Sequence, residues 1–261
     1  MPRTASDQPP RNAPRSGARI DSPDNDLVRR LRKVGATREP AVVLLEGPRV
    51  IAEAAACGVH LEVVATREGV ELPWVTADRV VTLSDRAFAA ASRTVTPQGV
   101  LALARRPEAT VADALAAARA AGWPLLVLDG LQDPGNVGAI CRTAAAVGAP
   151  ALVVLEGGAD PYGAKAVRAS AGNVFRLTVG RGAWEDLQGV HGYGAQPAGG
   201  LPPELADLAG AGLLALGGEV RGLRNPGLET VSIPMAAGVE SLNVAAAAAV
   251  LLYEVRRRLA A

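Results

Sequence analysis

Short apolar runs alternating with helix-period stretches make up most of the chain beyond residue 26. Runs at 42–45, 61–65, 80–83 and 100–104 are rich in Val, Leu and Ala and read as buried strands. Among them, 27–33 reads as a basic amphipathic helix, 85–92 as a second, and 48–57 as a helix with Pro48 in its first turn and Gly58 at its end. An alanine-rich helical stretch at 108–122 lies between Pro107 and Pro124. Strand runs then recur at 125–128, 151–155, 174–179, 213–216 and 230–233, with helices predicted at 137–147, 164–171, 184–189 and 242–259. Strands alternating with helices predict an α/β fold with a mainly parallel sheet, whose loops at the carboxyl ends of the strands form a site.

The N-terminal segment breaks this pattern. Residues 1–22 carry Arg3, Arg11, Arg15 and Arg19 and four prolines, with no large aliphatic residue between Met1 and Ile20, too little apolar surface to offset the entropy of ordering. The expected organisation is a disordered tail at 1–22, a small α/β domain at 23–106, a connecting segment at 107–123 and a second α/β domain at 124–261. A length of 261 residues accommodates two domains with buried cores and no need of disulfide or metal staples.

Composition narrows the chemistry. With 49% hydrophobic and 20% charged residues the chain is of the globular class, and a net charge of +1 leaves a nucleic-acid partner open, because the local patch decides. Lys33 and Lys165 are the only lysines among 27 basic residues, which reflects either codon composition or selection for phosphate-binding guanidinium forks. Aromatics at 3% argue against reading single strands by repeated base stacking. Two cysteines, Cys57 and Cys141, and two histidines, His60 and His191, supply neither a disulfide framework nor a metal centre, and point to a reducing compartment. The longest apolar run, 244–253, is too short to span a bilayer and the N-terminus lacks a signal-peptide core, so the expected location is cytoplasmic with no membrane partner.

Three segments of the second domain gather glycine and polar residues at strand ends. After strand 125–128 the chain enters Asp133-Pro-Gly-Asn136, followed by a helix bearing Arg142; Asn136 reads there either as an N-cap or as a site residue. After strand 213–216 comes Gly217-Gly218-Glu219-Val220-Arg221, a glycine pair that lets backbone approach a ligand, with Glu219 and Arg221 open to reading as a surface pair. The third segment runs from Ile233-Pro-Met235 to Ser241-Leu242-Asn243, where Ser241 or Asn243 caps the last helix. The fingerprints of dinucleotide-binding, P-loop and nucleophile-elbow proteins are absent.

Taken together and in order, Asp133-Pro-Gly-Asn136-Val-Gly with Arg142, Gly217-Gly-Glu219 with Arg221-Gly-Leu223, and Ile233-Pro-Met235 with Glu240-Ser-Leu-Asn243 resemble the signature motifs of the SpoU/TrmH branch of the SPOUT RNA 2′-O-ribose methyltransferases. Lys165-Ala-Val-Arg168-Ala-Ser170-Ala-Gly172 resembles a further family segment. Upstream, Glu46-Gly47 with Val50-Ile51-Glu53-Ala54 and Gln98-Gly99-Val100 resemble the small RNA-binding α/β domain, similar to certain ribosomal proteins, that precedes many family catalytic domains.

The resemblance implies methyl transfer from S-adenosylmethionine to a ribose 2′-hydroxyl of structured RNA, with ribosomal RNA favoured over transfer RNA by the N-terminal domain. It implies a parallel sheet tied into a trefoil knot, an exception to the unknotted rule, and a homodimer without metal. By the same resemblance Leu216, Gly217, Gly218, Ile233, Met235, Ser241 and Leu242 bind the cofactor. Asn136, Arg142, Glu219, Ser241 and Asn243 form the catalytic set, with the first helix, Arg142, Arg168 and Arg221 as candidates for RNA contact. The family commonly has Asn at the position of Gly218 and Gly at that of Val220, so a cofactor loop of different conformation is expected. Two alternatives share the fold: a non-catalytic RNA-binding or ribosome-assembly factor, and a methyltransferase giving resistance to a ribosome-targeting antibiotic.

Overall fold

The computed structural model describes residues 18–36, 41–94, 96–218, 222–224 and 227–260. The first unit runs β1 (Arg19–Ile20), α1 (Asp26–Ala36), β2 (Val42–Glu46), α2 (Pro48–Ala56), β3 (Leu61–Arg67), β4 (Arg79–Leu83), α3 (Asp85–Ala91) and β5 (Val100–Arg105). Its sheet has the order β1-β4-β3-β5-β2, with β1, β4 and β3 parallel and β5 antiparallel to both β3 and β2. The two-residue period of a strand sends alternate side chains of β2 to different cores. Val42 and Leu44 pack with α1 and α3, while Val43 and Leu45 pack with Val50, Ile51 and Ala54 of α2.

The second unit runs α4 (Val111–Ala120), β6 (Leu125–Asp129), α5 (Pro134–Val147), β7 (Ala151–Leu155), α6 (Ala164–Ala169), β8 (Thr178–Gly182), β9 (Gly192–Ala195), β10 (Leu213–Gly217), β11 (Glu229–Val231) and α7 (Val244–Leu259), with 3₁₀ turns at Asn173–Arg176 and Trp184–Leu187. Its six strands are all parallel, in the order β11-β9-β10-β6-β7-β8. Leu126 and Leu128 of β6 meet α5 and α7 on one face, and Leu125 and Val127 meet α4 on the other. Burial on both faces is why these strands read as continuous apolar runs. The chain builds outward from β6 through β7 to β8, then crosses back to place β10 on the other flank of β6. The carboxyl ends of β6 and β10 therefore form a topological switch point, where such sheets hold their ligands.

The two units share one core. Arg106, just past β5, donates two hydrogen bonds of 2.8 Å to Asp160 and lies over the ring of Tyr162. Burial pushes the Asp160 carboxyl up, but the hydrogen bonds and charge of Arg106 outweigh it and hold the group below the usual aspartate range. On the other side Arg176 pairs with Glu53 of α2. Gly172 at φ +83° sits so near α2 that a Cβ would come within 2.9 Å of the Glu53 side chain.

Several expectations need correction. Residues 1–17 of the expected tail lie outside the described residues, but Arg19 and Ile20 form β1 beside Thr82 and Leu83. Ile20, the first large aliphatic side chain after Met1, buries there and gives the segment its anchor. Residues 174–176, expected as strand, are a 3₁₀ turn that buries Val174 and Phe175, and β8 starts at Thr178. The expected helix at 184–189 is the 3₁₀ turn Trp184–Leu187. The helix expected to begin at 242 starts at Val244, and β9 carried no strand signal because two of its four residues are glycine. Those glycines answer a packing need, since a Cβ at Gly192 would collide with the Leu213 carbonyl and one at Gly194 with Leu223. The stretch at 108–122 contributes α4, which packs on the second sheet beside β7 and β8.

Candidate active site

At the end of β6, Asp133 and not Asn136 caps the following helix. Pro134 fits the first helical position, where its missing N–H is no loss, so α5 begins three residues earlier than the apolar period suggested. Asp133 Oδ1 accepts from the Gly135 N–H at 3.1 Å and from Lys165 Nζ at 2.6 Å. The Lys165 ammonium, with the backbone N–H groups of the first turn, holds the Asp133 carboxyl below the usual aspartate range.

With capping done by Asp133, the side chain of Asn136 is available to another element. Asn243 Nδ2 donates to Asn136 Oδ1 at 3.1 Å, while Asn243 Oδ1 accepts from the N–H of Ala245 and Ala246 and caps α7. The hydrogen bond joins residues 107 positions apart, one from the first motif and one from the third. Arg142 follows on α5 with its guanidinium exposed and without a hydrogen-bond or ion-pair partner among the described residues.

All seven residues expected at the cofactor, Leu216, Gly217, Gly218, Ile233, Met235, Ser241 and Leu242, line one cavity of about 210 Å³. Its remaining wall comes from Ala195, Gln196 and Pro197 at the end of β9, from Gly222 and Val231, and from Val244, Ala247 and Leu251 of α7. Those of β9 and α7 were missed because neither an unrecognised strand nor an alanine-rich helix announces which face it offers. Gly218 N–H donates to Asp129 O at 2.9 Å, and a Cβ on Gly218 would come within 2.8 Å of Gly130 O. A Cβ on Gly217 would collide with the backbone of Gly222 and Leu223. The cavity floor is thus bare main chain closed on both sides. Glu219, Val220 and Arg221 lie outside the described residues.

Sequence reasoning also passed over Asp129. Its carboxylate, fully buried at the end of β6, accepts from Arg224 N at 2.7 Å, Arg224 Nε at 2.5 Å and Trp184 Nε1 at 3.0 Å. Arg224 also donates to Glu156 O at 2.9 Å, so the chain leaving the glycine pair is fastened to β6, β7 and the turn after β8. The available signal was an acid closing an otherwise apolar strand, since such a group needs buried donors. Among the described residues no group of three or more His, Cys, Asp or Glu is placed to hold a metal ion, and no helix is long and apolar enough to cross a membrane.

Residues 124–253 match the SpoU rRNA Methylase family, and residues 27–102 match an MRM3-like substrate binding domain. Over 252 residues the chain is 31% identical to the 23S rRNA (guanosine(2553)-2′-O)-methyltransferase RlmP of Bacillus subtilis (strain 168), covering 91% of this chain and 98% of that protein. The chain belongs to the SpoU rRNA methylase family. Among solved structures, the AdoMet-bound rRNA methyltransferase of Sinorhizobium meliloti superposes with a TM-score of 0.77 at 25% identity, covering 92% of this chain and 98% of that one. The SpoU methyltransferase AviRb of Streptomyces viridochromogenes, in complex with AdoMet, gives 0.76 at 26% identity over 91% of this chain and 100% of that one.

Proposed function

We propose that this SpoU-family chain transfers the methyl group of S-adenosylmethionine to a ribose 2′-hydroxyl of ribosomal RNA. The observation that carries the reading is the cavity at the carboxyl ends of β9, β10 and β11, next to which Asn243 is hydrogen-bonded to Asn136 of α5. The cavity suits the cofactor. Leu216, Ile233, Met235 and Leu242 offer apolar walls for an adenine, and the glycine floor leaves main-chain donors and acceptors for its edges and the ribose.

S-adenosylmethionine supplies an electrophilic methyl carbon. The protein's part is to hold a 2′-oxygen where it can take the methyl as the C–S bond breaks to leave a neutral thioether, with the hydroxyl proton passing to solvent water. A guanidinium has no lone pair free to accept a proton and is a poor base, so the role of Arg142 is to hold a phosphate and orient the adjacent ribose. Asn136 and Asn243 fix α5 against the third motif, Ser241 stands at the cavity rim, and by family resemblance Glu219 completes the polar set.

The same reading assigns the first unit, β1 included, to RNA binding and the second, with α4 packed on its sheet, to catalysis, in the cytoplasm. The path from β10 through the glycine loop to edge strand β11 and back to α7 across α5 supports a trefoil knot. The outer side of α7 supports a homodimer: Tyr253 is 64% exposed and Val250 and nearby Leu205 are also open to solvent, an apolar patch that a second copy would cover. Mapping 2′-O-methyl groups in RNA from cells with and without the protein should reveal one ribose that depends on it. An unchanged map would refute the proposal.

A further inference from the structure

Between the two units lies an open cleft of about 630 Å³. Its walls carry Arg93 from the loop after α3, Lys165 and Arg168 from α6, and Gln132 and Pro134 at the start of α5. We infer that this cleft is the track along which the phosphate backbone of the substrate RNA reaches the reactive site, with Arg93, Lys165 and Arg168 as its phosphate contacts. The inference rests on the RNA reading above and extends it from Arg168, already a candidate for RNA contact, to Arg93 and Lys165 and to a defined path between the units.

The carboxylates near the cleft are placed to support its cations. Glu46, buried at the end of β2, accepts on Oε1 from Ser92 Oγ at 2.5 Å, Arg93 N at 3.0 Å, and Thr94 N and Oγ1 at 3.3 and 3.1 Å. Its Oε2 accepts from Arg168 Nη1 at 3.5 Å, a loose contact across the two units. One buried acid therefore fixes the loop that presents Arg93 and steers Arg168, which remains about one-third exposed. The Arg93 guanidinium has no carboxylate partner among the described residues, and donates only to the Arg32 carbonyl at 3.4 Å. Lys165, 62% exposed, reaches Asp133 at the head of α5. The one acid among the residues that line the cleft, Asp160, is occupied by Arg106 and Arg181, so it sets the geometry of the units without opposing an incoming anion.

The cleft leads to the site because Pro134 lines it, while Asn136, on the same first turn of α5, bonds to Asn243 at the cofactor cavity. Its one aromatic, Tyr162, is buried, so the cleft offers no stacking surface. Contacts of this kind position a strand and leave base choice to other parts of the complex.

The test uses the full-length protein and an unmodified 23S ribosomal RNA transcript, with affinity followed by filter binding across a salt series. In Arg93→Ala/Lys165→Ala/Arg168→Ala the slope of log K against log salt should fall by about 2, at roughly 0.7–0.9 for each phosphate no longer neutralised. The KM for RNA should rise with kcat and S-adenosylmethionine affinity retained, the mark of weakened ground-state binding. Arg119→Ala, on α4 across the sheet, should leave the slope unchanged. A triple variant with wild-type slope and KM, or an Arg119→Ala variant as impaired as the triple, overturns the cleft. Failure of the wild-type protein to bind the cofactor or methylate any RNA overturns the reading beneath it, and the inference with it.

Discussion

Asp129→Asn isolates the node that fastens the cofactor loop. Every group around this carboxylate is a donor: Oδ2 accepts from Arg224 N and Trp184 Nε1, and Oδ1 from Arg224 Nε. Asparagine can keep its one oxygen toward the first pair, but its NH₂ then faces the guanidinium N–H. The loss is one charge-assisted hydrogen bond, about 1.5–3 kcal/mol in a buried setting. Because the Arg224 side chain is 44% exposed, solvent screening places the effect near the lower end, about 1–2 kcal/mol. Asp129→Ala also orphans the indole and backbone N–H groups, for about 3–5 kcal/mol in all. At about 2 °C per kcal/mol for a chain of this size, melting should fall by roughly 2–4 °C for Asn and 6–10 °C for Ala. Gly218 and Gly222, which the node holds in place, line the cavity, so calorimetry should show weaker S-adenosylmethionine binding, by up to about tenfold for 1.4 kcal/mol of loop order lost. Unaltered melting and cofactor affinity in Asp129→Asn would show that Asp129 does not hold the loop.

Arg142→Ala should bind S-adenosylmethionine as the wild type does and lose about 10²–10³ in kcat, in line with removal of one preorganised donor; equal turnover would take Arg142 out of the mechanism. Arg142→Lys keeps the charge but not the fork and should restore only part of the loss. Burial pushes the Cys141 thiol up to about 12, and burial with the neighbouring Glu53 charge raises Cys57 despite Arg176. Native protein treated with iodoacetamide at pH 8 should therefore stay unlabelled at Cys141 and react slowly at Cys57 by mass spectrometry, while rapid native labelling of Cys141 would contradict the packing of α5. Hydrogen bonds from Arg257 and Arg258 lower the Glu254 carboxyl from 4.5 to about 2, so its contribution is complete above 4.5 and fades as pH falls toward 2. The melting difference between wild type and Glu254→Gln should shrink over that window; a constant difference would separate Glu254 from acid stability.

How much of this was legible in the sequence depended on where each signal comes from. Strands buried on both faces, such as β2, β6 and β7, announce themselves as uninterrupted Val and Leu, and the alternation with helices carried the parallel sheet. The motif residues at the strand ends were legible because glycine and polar side chains interrupt apolar runs. What stayed hidden was set by tertiary contact. Gly192 and Gly194 look like loop until the backbone of β10 is packed against the first and the Leu223 side chain against the second. Asn136 looked like a cap because sequence spacing cannot tell which of Asp133 and Asn136 meets the first turn, whereas the bond to Asn243 depends on the route of the chain between positions 136 and 243. Glu46 and Asp129, each a lone acid closing an apolar run, signalled a need for buried donors but not which donors would converge on them.

The near-neutral charge takes on a different meaning once these partners are known. Arginine abundance alone left codon composition and forks for phosphate equally open, yet Arg106, Arg176 and Arg224 pair with Asp160, Glu53 and Asp129, joining elements far apart in sequence. Arg258 binds Glu254 and also donates at 2.7 Å to the carbonyls of Pro203 and Ala206, tying the last helix to the segment before β10. Guanidinium suits such junctions because its planar fork serves a carboxylate and a carbonyl at once. Much of the acid in this chain is thus committed to structural arginines, and the sum of +1 says little about the surface offered to RNA. The cations that matter for substrate are those whose partner is absent, loose or exposed. By that criterion Arg93, Arg168 and Lys165, brought to one cleft from both units, join Arg142 of α5 as the candidates for phosphate, a grouping that neither their number nor their order in the chain could have revealed.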